Sequence, residues 1–235
     1  MDKMKVSTDL RSPGLFGRKP ILGLIMFIIG SLIFVVLAFN LINNGPLIKW
    51  DLFISEYFYT LALNSSPLVI DIMIYGYYVG LQGIWIIAIL LTLYFLYKRF
   101  WREIVMVVVT LGGGGLLFLF LSNIFKRPRP FLLFDKLIWT GSPNIPGFPS
   151  GHTISIVTLC IFLVYLFIPK IKSYFRKSLV ITIALLVIFY IGFSRLFVGD
   201  HYPTDIIAGY AAGVAWFGIT VTFIELLFKK YEKKK

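Results

Sequence analysis

The chain has 235 residues, of which 58% are hydrophobic and 14% charged, and its mean hydropathy is +0.86. Soluble proteins carry about 25% charged residues, so this composition excludes a soluble domain and indicates an integral membrane protein. The net charge of +12 does not indicate a nucleic-acid partner. The basic residues cluster at the ends of apolar runs, where they set membrane orientation.

Six continuous apolar runs are long enough for membrane-spanning helices. In chain order they cover about residues 21–42, 72–97, 104–125, 152–169, 179–193 and 205–228. We therefore predict an all-α integral membrane protein with six transmembrane helices in one bundle, formed by residues 20–228. Residues 1–19 are predicted to be a cytoplasmic N-terminal segment without a cleavable signal, and residues 229–235 a basic cytoplasmic tail.

The stretch from Leu47 to Leu63, between spans 1 and 2, combines apolar residues at helical spacing with charged and aromatic ones. It predicts an amphipathic helix on the membrane surface; an ordinary loop is the alternative. Within span 3, the run from Gly112 to Gly115 predicts close helix packing or a kink. The longest connection, from Lys126 to Ser150, contains five prolines and cannot be one long helix.

The distribution of basic residues predicts how the bundle is oriented. With six spans, 17 of the 23 Lys and Arg residues fall on the side that carries both termini. Basic loops remain cytoplasmic, so both termini are predicted to be cytoplasmic. The segments that contain Arg129, Ser150 and Arg195 then meet at the extracytoplasmic face.

The only two histidines of the chain lie at this predicted outer face. Asp205 follows His201 by four residues, so a helix from His201 onward would place both on one face. A carboxylate that holds one imidazole nitrogen leaves the other free to attack, which predicts His201 as a nucleophile and Asp205 as its partner. His152 remains as the general acid.

The residues around the two histidines suit a phosphate group. Arg129 and Arg195 offer guanidinium groups that match phosphate oxygens, and Ser150 and Gly151 precede a helix whose first N–H groups bind anions. Arginine or histidine at a membrane interface can also simply contact lipid headgroups. A zinc site of the two histidines with Asp200 or Asp205 is a further alternative, which the neighbouring arginines disfavour.

Two motifs resemble those of the type-2 phosphatidic acid phosphatase family, whose fold is that of the vanadium haloperoxidases. They are Pro-Ser-Gly-His, present at residues 149–152, and Ser-Arg-x5-His-x3-Asp, present at residues 194–205. The resemblance implies that His201 is the nucleophile, Asp205 its partner and His152 the acid. It also implies that phosphate is held by Arg129, Ser150, Gly151 and Arg195, without a metal or other cofactor.

The first family motif, Lys-x6-Arg-Pro, is incomplete. Arg129 and Pro130 are present, but Ser122 stands where the family has lysine. We hypothesise that Lys126 or Arg127 supplies the missing cation, since a helix would place Lys126 one turn above Ser122.

The predicted function is a cell-membrane lipid phosphatase acting at the extracytoplasmic face through a phosphohistidine. The candidate substrates are undecaprenyl diphosphate, phosphatidylglycerol phosphate and phosphatidic acid. Two alternatives stay open. One is a lipid phosphotransferase of the same fold, which the absent lysine keeps under consideration. The other is a lipid transporter or scramblase without chemistry, because buried charges often line transport paths. The predicted partners are the lipid substrate and the bilayer, and the oligomeric state is not predicted.

Overall fold

A computed structural model describes residues 15–134 and 145–232. The described residues form eight helices: α1 (Leu15–Arg18), α2 (Pro20–Ile42), α3 (Leu47–Leu63), α4 (Pro67–Tyr97), α5 (residues 101–125), α6 (Gly151–Phe167), α7 (Tyr174–Phe197) and α8 (Pro203–Glu232). Short 3₁₀ turns cover Pro130–Leu133 and Ile168–Lys170. Most of the predicted N-terminal segment, part of the basic tail and part of the longest connection lie outside the described residues.

Six of these helices, α2 and α4 to α8, are long and apolar enough to cross a membrane. This confirms the prediction of an all-α protein with six spans. The difference in boundaries that bears on the site concerns α7, which we predicted to end at Phe193 and which continues to Phe197. Ser194 and Arg195 therefore lie in its last turn rather than in a loop.

The helix α3 is present as predicted and packs with one face against α2, α7 and α8. Asp51 and Ser55 are buried on that face, whereas Trp50, Phe53 and Tyr57 are exposed. Its exposed aromatic face suits the interfacial position that we predict for it.

The helix α8 is the centre of the bundle and packs along α2 and α6. Close approach to α6 requires glycine at two positions of α8. A Cβ at Gly213 would lie 2.3 Å from Val157 Cγ1, and one at Gly209 would lie 2.6 Å from the Ser150 carbonyl oxygen. Small residues at such contacts are typical of membrane helices. Here they bring the first turn of α6 next to α8.

The helices α4 and α5 each contain one π-helical turn, Val79–Gly83 and Val108–Gly112. The predicted glycine run lies in α5, directly at its π turn. A Cβ at Gly113 would lie 2.5 Å from Trp216 Cζ2, which is the close helix packing that we predicted. Such π turns frequently mark functional sites, and these two border the groove described below.

Candidate active site

Three helix ends meet at one end of the bundle and carry most of the predicted site residues. The helices α6 and α8 begin there, and α7, which lies between them in the chain, ends there. His152 lies in the first turn of α6 and Arg195 in the last turn of α7. Asp205 lies in the first turn of α8, and His201 lies two residues before this helix begins. The alternating direction of consecutive spans therefore brings these distant residues together.

A glycine in the left-handed conformation ends α7. Gly199 has a φ of 76°, which residues with a side chain rarely adopt. Its N–H donates to the Leu196 carbonyl at 3.1 Å. The Asp200 N–H donates to the Arg195 carbonyl at 2.9 Å, which completes a Schellman motif. This C-cap returns the chain and places Asp200 next to Arg195.

His201 and Asp205 lie close together, but not as residues of one helix. We predicted a helix from His201 onward, whereas α8 begins at Pro203. The Asp205 carboxylate accepts the Tyr202 N–H at 2.9 Å, an arrangement that caps the helix from its first turn. Asp205 Oδ2 lies 3.7 Å from His201 Nδ1, somewhat longer than a hydrogen bond.

Arg129 and Arg195 converge on Asp200, which occupies an unspecified position of the Ser-Arg-x5-His-x3-Asp motif. Arg129 Nη1 hydrogen-bonds to Asp200 Oδ1. Arg195 Nη1 and His201 Nε2 lie 3.8 and 3.9 Å from Asp200 Oδ2. Burial raises the pKa of the Asp200 carboxyl, but the nearby positive charges, above all those of His201 and Arg129, outweigh burial and lower this pKa to about 2. Asp200 is therefore an anion among the groups that we predict to bind phosphate.

The Pro-Ser-Gly-His segment begins α6 at the opposite side of this cluster. The Ser150 N–H donates to the Asp205 carbonyl at 3.0 Å, which ties the two segments together. The rings of His152 and His201 are 6.4 Å apart between centroids. A Cβ at Gly151 would lie 3.0 Å from the ring of Phe118, so glycine allows the close packing here.

Arg127 is a buried cation that contacts Asp205 from the side opposite His201. Its Nη1 donates to Asp205 Oδ1 at 2.5 Å, and its Nη2 donates to Asp51 Oδ2 at 2.7 Å. Asp51 belongs to α3 and also accepts the Thr204 N–H at 3.0 Å. The network thus joins the predicted surface helix to the carboxylate beside His201. Sequence reasoning missed Asp51; its helical spacing from Ser55 was the available signal for a buried polar face.

The structure does not bring Lys126 to this cluster. The helix α5 ends at Phe125, and Lys126 has a left-handed backbone with φ 47° and ψ 33°, so it does not continue the face of Ser122. Its side chain is exposed and has no hydrogen bond or ion pair with any described residue. Ser122 is buried, and its hydroxyl donates to the Leu119 carbonyl at 3.2 Å. Of the two cations proposed to replace the lysine, Arg127 is the one that reaches the site.

Six buried polar atoms of the cluster have no hydrogen-bond partner among the described residues. They are Ser150 Oγ, His152 Nε2, Arg195 Nη1, Asp200 Oδ2 and both ring nitrogens of His201. Buried polar atoms are normally satisfied. The Ser150 hydroxyl and the Arg195 guanidinium can donate hydrogen bonds, and so can one nitrogen of each neutral imidazole, so the arrangement suits a ligand that is rich in acceptors, such as an oxyanion.

The same residues include a candidate metal site. One ligand atom from each of His152, Asp200 and His201 lies within 4.8 Å of the others. Asp200 is the only carboxylate of this set, and it is already paired with Arg129. The positive charge of the guanidinium groups opposes a divalent cation at this place. The donor set therefore favours an anion over a metal ion.

An apolar groove leads away from the cluster between α4 and α5; we call it the α4–α5 groove. The part of the groove next to the cluster is a cavity of about 320 Å³ that begins at Arg129 and His152. A second cavity of about 250 Å³ shares Trp85 and Gly112 with the first and continues along the same two helices. The π turns of both helices contribute to the wall of the first cavity through Gly80 and Gly112.

The family model described as the PAP2 superfamily matches residues 103–229 of the chain. Phosphatidylglycerophosphatase B of Bacillus subtilis (strain 168) is 28% identical over 141 residues, which are 60% of this chain and 66% of that protein. Lipid A 4'-phosphatase of Porphyromonas gingivalis is 30% identical over 149 residues, which are 59% of this chain and 60% of that protein. A probable sphingosine-1-phosphate phosphatase of Dictyostelium discoideum is 36% identical over 113 residues, which are 45% of this chain and 26% of that protein.

The chain therefore spans between 26% and 66% of the length of these curated relatives. Among solved structures, a transmembrane PAP2-type phosphatidylglycerolphosphate phosphatase from Bacillus subtilis matches with a TM-score of 0.66 at 24% identity. The match covers 87% of this chain and 94% of that chain. LpxE of Aquifex aeolicus matches with a TM-score of 0.51 at 22% identity, over 75% of this chain and 94% of that chain. At these identities the likeness shows the fold alone.

Proposed function

The chain belongs to the PAP2 superfamily, and from this premise we propose that it is a membrane lipid phosphatase that hydrolyses a lipid phosphate or diphosphate. One observation carries the proposal: an apolar groove begins at Arg129 and at His152, whose Nε2 is one of the buried polar atoms of the cluster without a hydrogen-bond partner among the described residues. The donors suit a phosphoryl group and the groove suits a tail, so together they suit an amphiphile. The names of the relatives, which are phosphatases of phosphatidylglycerophosphate, lipid A and sphingosine-1-phosphate, support the same substrate class.

In the proposed mechanism, His201 Nε2 attacks phosphorus, and the bond from phosphorus to the leaving oxygen breaks. His152 donates a proton to that oxygen, so the lipid alcohol leaves neutral. Asp205 lies beside Nδ1 and stabilises the positive charge that develops on the His201 ring. His152 then accepts a proton from water, the water oxygen attacks phosphorus, and the bond between phosphorus and His201 Nε2 breaks, which gives free phosphate and the original His201.

The remaining donors would hold the oxygens of the phosphoryl group during both steps. The guanidinium groups of Arg129 and Arg195 lie next to the place where the phosphoryl group would bind, because both contact Asp200. Ser150 contributes its hydroxyl, and Gly151 contributes an N–H at the start of α6. Fixed donors of this kind stabilise charge on a transferring phosphoryl group. We propose that the reaction requires neither a metal ion nor another cofactor.

We further propose that the protein resides in the cell membrane with both termini in the cytoplasm and the site at the extracytoplasmic face. The support is the excess of Lys and Arg on the side of the termini. The ends of α6, α7 and α8 that form the cluster belong to the opposite side. Undecaprenyl diphosphate, phosphatidylglycerol phosphate and phosphatidic acid all combine an anionic headgroup with long tails.

One observation favours a second candidate, a lipid phosphotransferase. Ser122 replaces the cation of the family motif, and its hydroxyl donates to the Leu119 carbonyl of its own helix. A site with one cation fewer would hold the phosphoryl group differently and could accept another hydroxyl in place of water. The product distinguishes the two reactions, since transfer yields a phosphorylated acceptor and hydrolysis yields free phosphate.

The test is a panel of lipid phosphates and diphosphates offered to the purified protein in detergent, with and without a chelator. We expect free phosphate from at least one lipid, no effect of the chelator, and loss of activity in His201→Gln. Loss of activity with chelator would contradict the metal-free mechanism. Lipid movement across vesicle membranes, without phosphate release from any lipid and unchanged by His201→Gln, would support a transporter instead.

A further inference from the structure

The carboxylate of Asp200 lies where the proposed phosphoryl group would have to bind. It is fully buried and contacts the same three groups, Arg129, Arg195 and His201. An anion cannot approach the guanidinium groups and His201 Nε2 without meeting this carboxylate. The empty site therefore already contains an anion of its own.

We infer that Asp200 is a built-in competitor of phosphate, which occupies the arginines in the empty site and is displaced when substrate or product phosphate binds. The inference rests on the phosphate site proposed above and adds a residue to it whose identity no family motif specifies. Asp200 takes no part in bond breaking. It sets how tightly the site holds phosphate.

The geometry of Asp200 fits a group that gives way. One carboxylate oxygen is bonded to Arg129, but Oδ2 has no hydrogen-bond partner in the part of the chain that the structure describes and lies 3.8 Å from Arg195 Nη1. A permanent structural ion pair would satisfy both oxygens. Arg195 is also held independently, because its Nη2 donates to the Met73 carbonyl at 2.7 Å. The arginine can therefore stay in place while its anionic partner is exchanged.

Two physical effects follow from this placement. In the empty site Asp200 neutralises buried guanidinium groups, which would otherwise be strongly destabilising. In the occupied site it remains a nearby negative charge and repels phosphate. Asp200 therefore stabilises the empty protein and weakens phosphate binding, which favours release of the product.

Asp200→Asn separates these effects because asparagine keeps the size of the side chain and removes its charge. The measurement is the thermal unfolding midpoint of the purified protein in detergent, across a series of inorganic phosphate concentrations. We expect Asp200→Asn to unfold at a lower temperature than wild type without phosphate. We also expect the phosphate dissociation constant, obtained from the rise of the midpoint with phosphate concentration, to fall at least about tenfold, because a like charge has been removed.

Glu225→Gln is the matched control. Glu225 is a buried carboxylate at the other end of α8 that bonds to Tyr165 and lies 3.8 Å from Arg102. Its loss should also lower the unfolding midpoint, but without any change in the response to phosphate. If Asp200→Asn folds poorly, phosphate present during purification should restore its yield, whereas it should not restore that of Glu225→Gln.

Each outcome decides between the two proposals. If phosphate does not stabilise wild type, the proposed phosphate site is wrong. If phosphate stabilises wild type but Asp200→Asn binds it equally or more weakly, the site stands and the competitor is refuted. If Asp200→Asn folds poorly and phosphate does not restore its yield, the role of Asp200 as competitor is also refuted.

Discussion

Gly112 offers a direct test of whether the α4–α5 groove takes the substrate tail. It lines both cavities of the groove, and a Cβ built at this position meets no atom within 4 Å. Gly112→Leu therefore fills the groove without a clash at Cβ and leaves the catalytic cluster unchanged. A lipid tail that binds in the groove beside the new leucine side chain overpacks it, which costs about 1–3 kcal/mol of binding free energy. This corresponds to a decrease in kcat/KM of roughly 5- to 150-fold.

The assay compares kcat/KM for a long-tailed lipid phosphate with that for a water-soluble phosphate monoester, both in the same detergent. Gly112→Leu should lower the first by the factor above and leave the second unchanged. Gly83→Leu is the matched control, because Gly83 also lies in a π turn, lines neither cavity, and its Cβ would approach only Tyr78 and Val79, at 3.8 and 3.9 Å. Two outcomes would refute binding of the tail in this groove: an equal decrease in kcat/KM for both substrates, or the same ratio of the two kcat/KM values in Gly112→Leu and Gly83→Leu.

Three further predictions concern the polar cluster. His152→Asn should lower kcat on an alkyl phosphate by about 10²- to 10⁴-fold. The decrease should be much smaller on p-nitrophenyl phosphate, because its leaving group needs no proton. An equal decrease in kcat on both substrates would contradict the role of His152 as general acid. Arg127→Ala should remove activity and destabilise the protein by about 3–5 kcal/mol, because it leaves two buried carboxylates without their cation. Lys126→Ala should keep both activity and unfolding midpoint, and activity of Arg127→Ala at the wild-type level would refute a requirement for Arg127 in the site. The pKa of Asp200 in the folded protein is lowered to about 2, so its charge stabilises the fold fully above its ordinary pKa of about 4, and this contribution disappears as pH falls towards 2. The difference in unfolding midpoint between wild type and Asp200→Asn should therefore shrink as pH falls from about 4 to about 2. A constant difference would contradict the lowered pKa.

The sequence contained enough to predict the six spans and the meeting of the motifs at one end. Hydropathy defines spans directly, and consecutive spans alternate in direction, so the segments around His152 and His201 had to share a face. The end of α7 was harder to predict. An arginine after a long apolar run suggests that the helix has ended, because an isolated charge is costly there. The helix includes Arg195 because Asp200 neutralises it, and that partner appears only once the Schellman turn is formed.

The pairing of Arg127 with Asp51 could not have been read from local patterns. The two residues are 76 positions apart. The amphipathic spacing of α3 shows that one face is buried but not which element covers it. The exposed state of Lys126 has a similar origin, since the left-handed backbone after Phe125 turns it away from the helix face that a simple continuation predicts.

The charges at this end of the bundle explain why a single missing lysine matters. Three buried guanidinium groups and three buried carboxylates are paired here among the described residues, namely Arg127, Arg129, Arg195, Asp51, Asp200 and Asp205. With neutral imidazoles the empty cluster therefore has no net charge, although the sequence suggested a basic pocket. A lysine at the position of Ser122 would add one positive charge. Without it, and with Arg127 paired to Asp51 and Asp205, the positive charge that phosphate requires has to come from protonation of His152 and from release of Arg129 and Arg195 by Asp200. The displacement of Asp200 and the protonation of His152 thus become parts of one electrostatic exchange.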